Sequence, residues 1–274
     1  MDSLDDQVDS FLNELREVEA TLDDSFGLGR LHACLEPLDR DTRCRGSLTP
    51  LDAIPFLSTG SNAHVFTILT DFGANTNLDD APVVLDCHTN EPPLRLITYG
   101  PRQFIRMLAT CWTTEAFEDT NMGPDEAAWI RDLHETWFDD AEWHAAAMRT
   151  ARALFARFGE LEGGVLERMS AARRRRQSEL AISTIDGLGI AKNPRSDPSA
   201  TRRFEFASDA PDDAFAAFLR DASHDERLAA CRDAQFMHTF AASYDADVAL
   251  LVADTLDEMG YTVEAGRARL LAES

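Results

Sequence analysis

The fold is decided by three β-rich stretches, which read I-P-F-L-S-T-G-S-N-A-H-V-F-T-I-L-T-D-F-G at residues 54–73, D-D-A-P-V-V-L-D at 79–86 and P-P-L-R-L-I-T at 92–98. Branched and aromatic residues fill these runs, and glycine, asparagine, aspartate and proline separate them, which is typical of short strands joined by turns. The pattern predicts strands at Ile54–Ser58, His64–Thr70, Val83–Asp86 and Leu94–Tyr99. Because the connections are too short for crossover helices, they favour an antiparallel meander.

Helical periodicity dominates the chain on both sides of this segment. It predicts an amphipathic helix over residues 2–24, a helix that opens at Pro101, and another from Val165 to about Ile185. The predicted fold class is α+β, with a small antiparallel or mixed N-terminal sheet flanked by helices and a mostly α-helical C-terminal region. The predicted parts are an α+β domain at 1–112, a helical region at 113–190, a linker at 191–201 and a small helical bundle at 202–274.

The chain is strongly acidic, with 49 aspartates and glutamates against 26 lysines and arginines and a net charge of -23. Lys192 is the one lysine in the sequence. A uniformly acidic surface with little lysine is typical of halophilic archaea, where carboxylates keep proteins hydrated in concentrated salt. A GC-rich genome also exchanges lysine for arginine. Either origin argues against free nucleic acid as a partner, because phosphate binding needs a basic surface.

We expect a cytoplasmic location for this protein. No apolar run approaches the roughly 20 residues of a membrane span, and the acidic start of the chain does not fit a secretory signal. A hydrophobic content of 44% is enough for a folded core. The five widely spaced cysteines do not suit a disulfide framework, so we expect reduced and mostly buried thiols.

The sequence contains only part of the ligand pattern that a structural zinc site needs. Cys34, Cys87 and His88 are the candidate zinc ligands, but structural zinc sites usually carry two closely spaced ligand pairs. In an extended segment, the adjacent side chains of Cys87 and His88 would point to opposite faces. We therefore expect no metal and no other cofactor.

The turns between the strands hold the other candidate groups. Gly60, Ser61 and Asn62 lack the lysine-containing phosphate-loop pattern and read as a tight turn. Ser61, His64 and Asp71 are the residue types of a hydrolase triad, although such close spacing on one hairpin rarely gives triad geometry. The run Arg173–Arg176 is the one concentrated basic patch, and it either binds an anion or pairs with neighbouring glutamates.

Residues 1–112 resemble the SUKH superfamily, known chiefly from bacterial immunity proteins of polymorphic toxin systems. The resemblance rests on I-P-F-L-S-T-G at 54–60, V-F-T-I-L-T-D-F-G at 65–73, A-P-V-V-L-D at 81–86, P-L-R-L-I at 93–97 and the following P-R-Q-F-I-R. It implies an α+β fold with a mixed sheet and flanking helices. It also implies a binding role, in which an immunity protein covers a toxin, often a nuclease, with a complementary face.

We therefore expect a non-enzymatic module that binds another protein, with an immunity or regulatory role; a homodimer is also left open. The expected binding residues lie in and beside the two turns: Ser58, Gly60, Ser61, Asn62, His64, Asp71 and Asn75. The first alternative is a metal-assisted hydrolase that uses residues among His64, Asp71, Cys87 and His88. The second is a helical scaffold or regulator in which the C-terminal bundle is the active part.

Overall fold

A five-stranded antiparallel sheet forms the centre of the N-terminal half. The computed structural model describes residues 3–22, 28, 36–38, 48–59, 64–87, 91–118, 125–137, 140–196, 199, 201–206, 212–240 and 246–273. The strands follow one another in chain order and each pairs with the next. They are β1 (Glu36–Pro37), β2 (Ala53–Ser58), β3 (Val65–Leu69), β4 (Pro82–Asp86) and β5 (Leu94–Tyr99). The predicted α+β class and the antiparallel meander are confirmed.

Helices precede and follow this sheet. Those of the first two thirds are α1 (Leu4–Glu19), α2 (Pro101–Cys111), α3 (Glu126–Trp137), α4 (Ala141–Phe158) and α5 (Val165–Glu179). A short hairpin of β6 (Leu180–Ile182) and β7 (Ile190–Ala191) comes next. The described part ends with α6 (Asp212–Asp221), α7 (His224–Phe240), α8 (Ala246–Glu258) and α9 (Thr262–Ala272). None of the helices in these ranges combines the length and apolar character that a membrane crossing requires.

Both faces of the sheet are covered, and every residue of β2 to β5 is buried. One face packs on α1, α2 and α4 in the largest apolar core, where the rings of Phe66 and Phe104 lie 4.6 Å apart. The other face packs on Ala172 of α5 and on Leu188, which precedes β7. This two-sided burial explains why the strands read as nearly continuous apolar runs rather than as an alternation. The faces of β2 to β5 are therefore covered by other parts of the protein.

Buried ion pairs join the sheet to the later helices. Arg176 of α5 contacts Asp71, which follows β3, and Arg232 of α7 contacts Asp52, which precedes β2. Both arginines also donate to the carbonyl oxygen of Gly189, over 2.7 and 2.6 Å. The helical part is thus anchored on the sheet through one shared set of polar contacts.

The predicted helix from Val165 to Ile185 is wrong at its C-terminal end, because α5 stops at Glu179. Leu180 and Ile182 pair instead with β7. Helical periodicity could not reveal this pairing, since the partner strand lies further along the chain. Here the hydrogen bonds between the β6 and β7 backbones override the local preference for a helix.

The segment predicted as a linker, residues 191–201, is described at 191–196, 199 and 201. Ala191 belongs to β7, and the hydroxyl of Ser196 donates to the carboxylate of Asp225 at 3.2 Å. The backbone N–H of Thr201 donates to Glu226 at 3.2 Å. The described parts of this segment therefore contact the start of α7.

Candidate functional site

Strand register brings a histidine and a cysteine together at one end of the sheet. His64 immediately precedes β3 and Cys87 immediately follows β4. Val65 pairs with Asp86 in the antiparallel ladder, so the next residue on each strand is brought opposite the other. The His64 Nε2 and Cys87 Sγ atoms lie 3.1 Å apart.

Glu118 completes the cluster by contacting the second ring nitrogen of His64. The Nδ1 atom of His64 lies 2.8 Å from Oε1 of Glu118, which follows the 3₁₀ turn Thr114–Phe117. Arg95 of β5 donates to the backbone carbonyl of Glu118 and fixes the position of that residue. His64, Cys87 and Glu118 each offer a ligand atom, and these atoms all lie within 4.8 Å of one another.

The cluster is almost closed to solvent: Cys87 is 0% exposed, His64 is 2% exposed and the Glu118 side chain is 11% exposed. Burial raises the pKa of Glu118, and the hydrogen bond with Glu115 and the charge of Arg95 oppose this shift. Burial also raises the pKa of Glu115, with a further contribution from the neighbouring Glu118. Both carboxyls therefore retain a proton to higher pH than exposed glutamates do.

The arrangement supports two kinds of chemistry. An imidazole nitrogen, a thiolate and a carboxylate are all ordinary zinc ligands. The same order of thiol, imidazole and carboxylate is that of a cysteine nucleophile, its general base and the group that orients the base. A carboxylate at Glu118 favours the tautomer with hydrogen on Nδ1, which leaves Nε2 of His64 to accept a hydrogen bond from the thiol of Cys87. A nucleophile must also reach its substrate, and Cys87 is fully buried.

The residues of the predicted hydrolase do not all converge. His64 and Cys87 meet, but Asp71 lies beyond the opposite end of β3. Seven residues of extended chain separate it from His64, which corresponds to roughly 20 Å. Asp71 pairs instead with Arg176. His88 and Cys34 lie outside the described residues.

The predicted binding turns are only partly described. Gly60, Ser61 and Asn62 lie outside the described ranges. Ser58 is buried at the end of β2. Asn75 donates from Nδ2 to the Asp71 carboxylate at 2.7 Å and to the Leu69 carbonyl at 3.0 Å, so its amide stabilises the turn from within.

A cleft of about 340 Å³ opens beside the second turn. It lies between the start of α1, the turn itself and the start of α9. Val263 of α9 lines it and is 58% exposed. The other residues that line it are Ser3, Leu4, Asp5, Ile54, Thr70, Gly73, Asn75, Thr76, Glu264 and Arg267.

The sequence analysis named His64 and Cys87 together in the hydrolase alternative and missed both Glu118 and Val263. Counting residues from the predicted turn between β3 and β4 could have placed His64 opposite Cys87. No local signal marks Glu118, which is 54 positions from His64.

Comparisons with protein-family models, with curated proteins and with solved structures found no match to this chain.

Proposed function

We propose that this chain is a non-enzymatic cytoplasmic protein that binds another protein through the cleft beside the turn Asp71–Asn75. The observation that carries this proposal is the exposure of Val263, an apolar side chain that lines this cleft. Leu270, seven positions further along α9, is 66% exposed and lies on the same face of that helix. Exposed apolar side chains that share one face are typical of a protein-binding surface.

The chemistry of the partner follows from charge. Two acidic residues, Asp5 and Glu264, and one basic residue, Arg267, line the cleft next to its apolar residues. The whole chain carries a net charge of -23, which opposes self-association and attracts cationic surfaces. We therefore assign a basic protein as the partner, one that inserts an apolar side chain beside Val263. A basic nuclease toxin, the kind of partner that the SUKH resemblance implies, has this character.

Burial of the reactive groups supports binding rather than catalysis. Cys87 and His64 are enclosed, and Asp71 is neutralised by Arg176. In the part of the chain that the structure describes, Cys87 is 0% exposed and Asp71 is 4% exposed, so neither group is presented to solvent there. An active site instead presents its nucleophile and base to the substrate within hydrogen-bond reach.

Site-specific photocrosslinking in the native host tests the proposal. A benzoylphenylalanine at Val263 should give one dominant adduct with a basic protein. The matched control places the same group at Ser170, an exposed position of α5 outside this cleft. With the captured protein purified, Val263→Asp should weaken binding by roughly thirtyfold, as expected for a central apolar contact. An adduct only with a second copy of the chain, or equal adducts at Ser170, would contradict the proposal.

A second candidate function is zinc binding at His64, Cys87 and Glu118, and their convergence favours it. Burial of the cluster is typical of a structural zinc site, which takes four protein ligands, and the described residues supply three of them. Metal analysis of protein purified without chelator tests this candidate. We expect one zinc ion per chain, lost in Cys87→Ser and kept in Cys231→Ser, which alters a buried thiol elsewhere. Metal-free protein with unchanged stability would exclude the candidate.

A further inference from the structure

A second cleft, of about 520 Å³, has a different character. It lies between α2, α5 and the end of β5, and none of its residues lines the cleft at Val263. Four arginines and a single carboxylate, Asp79, line this second cleft. The arginines are Arg102 and Arg106 of α2 and Arg168 and Arg175 of α5.

Two of the four guanidinium groups are neutralised within the protein. Arg102 pairs with Glu14 and with Asp79, the latter at 3.0 Å. Arg175 pairs with Glu179 at 2.7 Å and stacks 3.9 Å above the ring of Tyr99.

Among the described residues, the other two guanidinium groups have only backbone acceptors. Arg106 donates from Nε to the Phe158 carbonyl at 2.6 Å, and Arg168 donates from Nε and Nη2 to the Glu162 carbonyl at 2.8 and 2.6 Å. In the described ranges, no carboxylate lies within ion-pair distance of Arg106 or Arg168. The buried Nε2 of Gln103, which also lines the cleft, has no acceptor among those residues.

This distribution is unusual for a chain in which 49 acidic residues face 26 basic ones. Carboxylates are abundant in the sequence, yet those at this cleft pair with Arg102 and Arg175, and no described carboxylate lies within ion-pair distance of Arg106 or Arg168. Like charges that converge without a counter-charge repel each other, and a buried donor without an acceptor costs free energy. An anion in the cleft would supply the counter-charge that Arg106 and Arg168 lack among the described residues.

We propose that this cleft binds a phosphate-bearing small molecule. The planar guanidinium fork matches pairs of phosphate oxygens, so Arg106 and Arg168 would hold the phosphate from two helices. The volume of about 520 Å³ lies within the range of small-molecule sites.

Calorimetric titration of the full-length protein with inorganic pyrophosphate, at constant ionic strength, tests this proposal. We expect one pyrophosphate per chain. Arg106→Gln and Arg168→Gln should each weaken binding about tenfold or more, the loss expected for one charge-assisted contact. The control is Arg174→Gln, which removes the same charge from an exposed position of α5 that does not line the cleft; its affinity should equal that of the wild type.

Thermal unfolding without pyrophosphate checks that each variant is folded. If Arg106→Gln does not fold, Arg106→Lys replaces it in the binding comparison. Lysine keeps the charge but loses the bidentate geometry, so Arg106→Lys should bind with intermediate affinity. Equal weakening in all three glutamine variants would overturn the proposal, because it would reflect net charge alone. So would an absence of binding, or a tighter interaction with citrate that depends on Arg106, which would assign the cleft to carboxylates.

Discussion

Asp71 and Arg176 lie 105 positions apart in the sequence and form a bidentate ion pair inside the protein. Two guanidinium nitrogens of Arg176 donate to the two carboxylate oxygens of Asp71 over 2.7 and 2.6 Å. The two side chains are 5% and 1% exposed. The pair holds the turn after β3 against α5, and Asp71 therefore belongs to the scaffold.

We expect Arg176→Met to destabilise the protein by about 3–5 kcal/mol, because it leaves a buried carboxylate without its counter-charge. Chemical denaturation of the variant measures this loss. Arg174→Met, at the exposed neighbouring position, should change the free energy of unfolding by about 0.5 kcal/mol or less. An Arg176→Met variant as stable as Arg174→Met would show that the pair does not hold the two parts together.

The three described thiols should be unreactive in the folded protein. Cys87, Cys111 and Cys231 are each 0% exposed. Burial raises the pKa of Cys111, and it raises the pKa of Cys231 to about 12. Because the thiolate is the reactive form, we expect no labelling by a disulfide reagent at neutral pH until denaturant is added.

The labelling is measured in the Cys34→Ser, Cys44→Ser variant, so that only these three thiols contribute. Three equivalents should react after unfolding. Rapid labelling of Cys87 in the folded state would count against a closed cluster and would favour the hydrolase alternative.

Stability should depend on pH through Glu226 at the start of α7. Burial alone would raise the pKa of this carboxyl, but hydrogen bonds from Arg202 and from the backbone N–H groups of Ser223, Arg202 and Thr201 lower it to about 2. A lowered pKa means that the folded state favours the carboxylate. The resulting stabilisation is complete above the ordinary value of 4.5 and is lost as the pH falls toward about 2.

Glu226→Gln should therefore be clearly less stable than the wild type at about pH 6, and the difference should shrink at about pH 3. Urea unfolding at both pH values provides the comparison. Glu205→Gln, at an exposed position, is the control and should show a small and constant difference. A gap between wild type and Glu226→Gln that grows on acidification would contradict the assignment.

Substitutions at two glycines of the β6–β7 hairpin distinguish the cost of backbone strain from the cost of steric crowding. Gly187 and Gly189 both have positive φ, at 79° and 64°. A Cβ atom at Gly187 would meet open space, whereas one at Gly189 would lie 2.6 Å from a side-chain carbon of Leu180 and 3.0 Å from the Ile182 carbonyl oxygen.

We expect Gly187→Ala to cost roughly 1–2 kcal/mol through backbone strain alone. Gly189→Ala should cost roughly 1–3 kcal/mol more, because the hairpin must also shift to relieve the contacts. Denaturant unfolding of both variants measures the difference. Equal losses would mean that the hairpin relaxes freely around residue 189.

Local sequence pattern predicted the strands well, because turn residues and branched side chains act over a few positions. Leu94–Tyr99 is observed with the predicted bounds, and the prediction for Ile54–Ser58 differs by one residue at its start. The end of α5 was wrong, since the pairing of Leu180 with Ala191 crosses eleven positions. Helical periodicity carries no information about such a partner.

The candidate site was predictable only in part. His64 and Cys87 stand out as residue types, and strand register brings them together. Glu118 follows α2 in the chain, and its contact with His64 depends on how that helix packs on the sheet. The two clefts are likewise formed by elements far apart in the sequence, so no single segment reveals them.

Composition and short-range periodicity were enough to predict the antiparallel meander, the helical remainder and the net negative charge, because these features are local or additive. Two features appear only in the folded protein: both faces of the sheet are covered, and Asp71 is buried against Arg176. The fold also leaves Arg106 and Arg168 facing one cleft without a described carboxylate within ion-pair distance. The physical reason is that burial and charge pairing depend on contacts between distant segments, and these contacts exist only once the chain has folded.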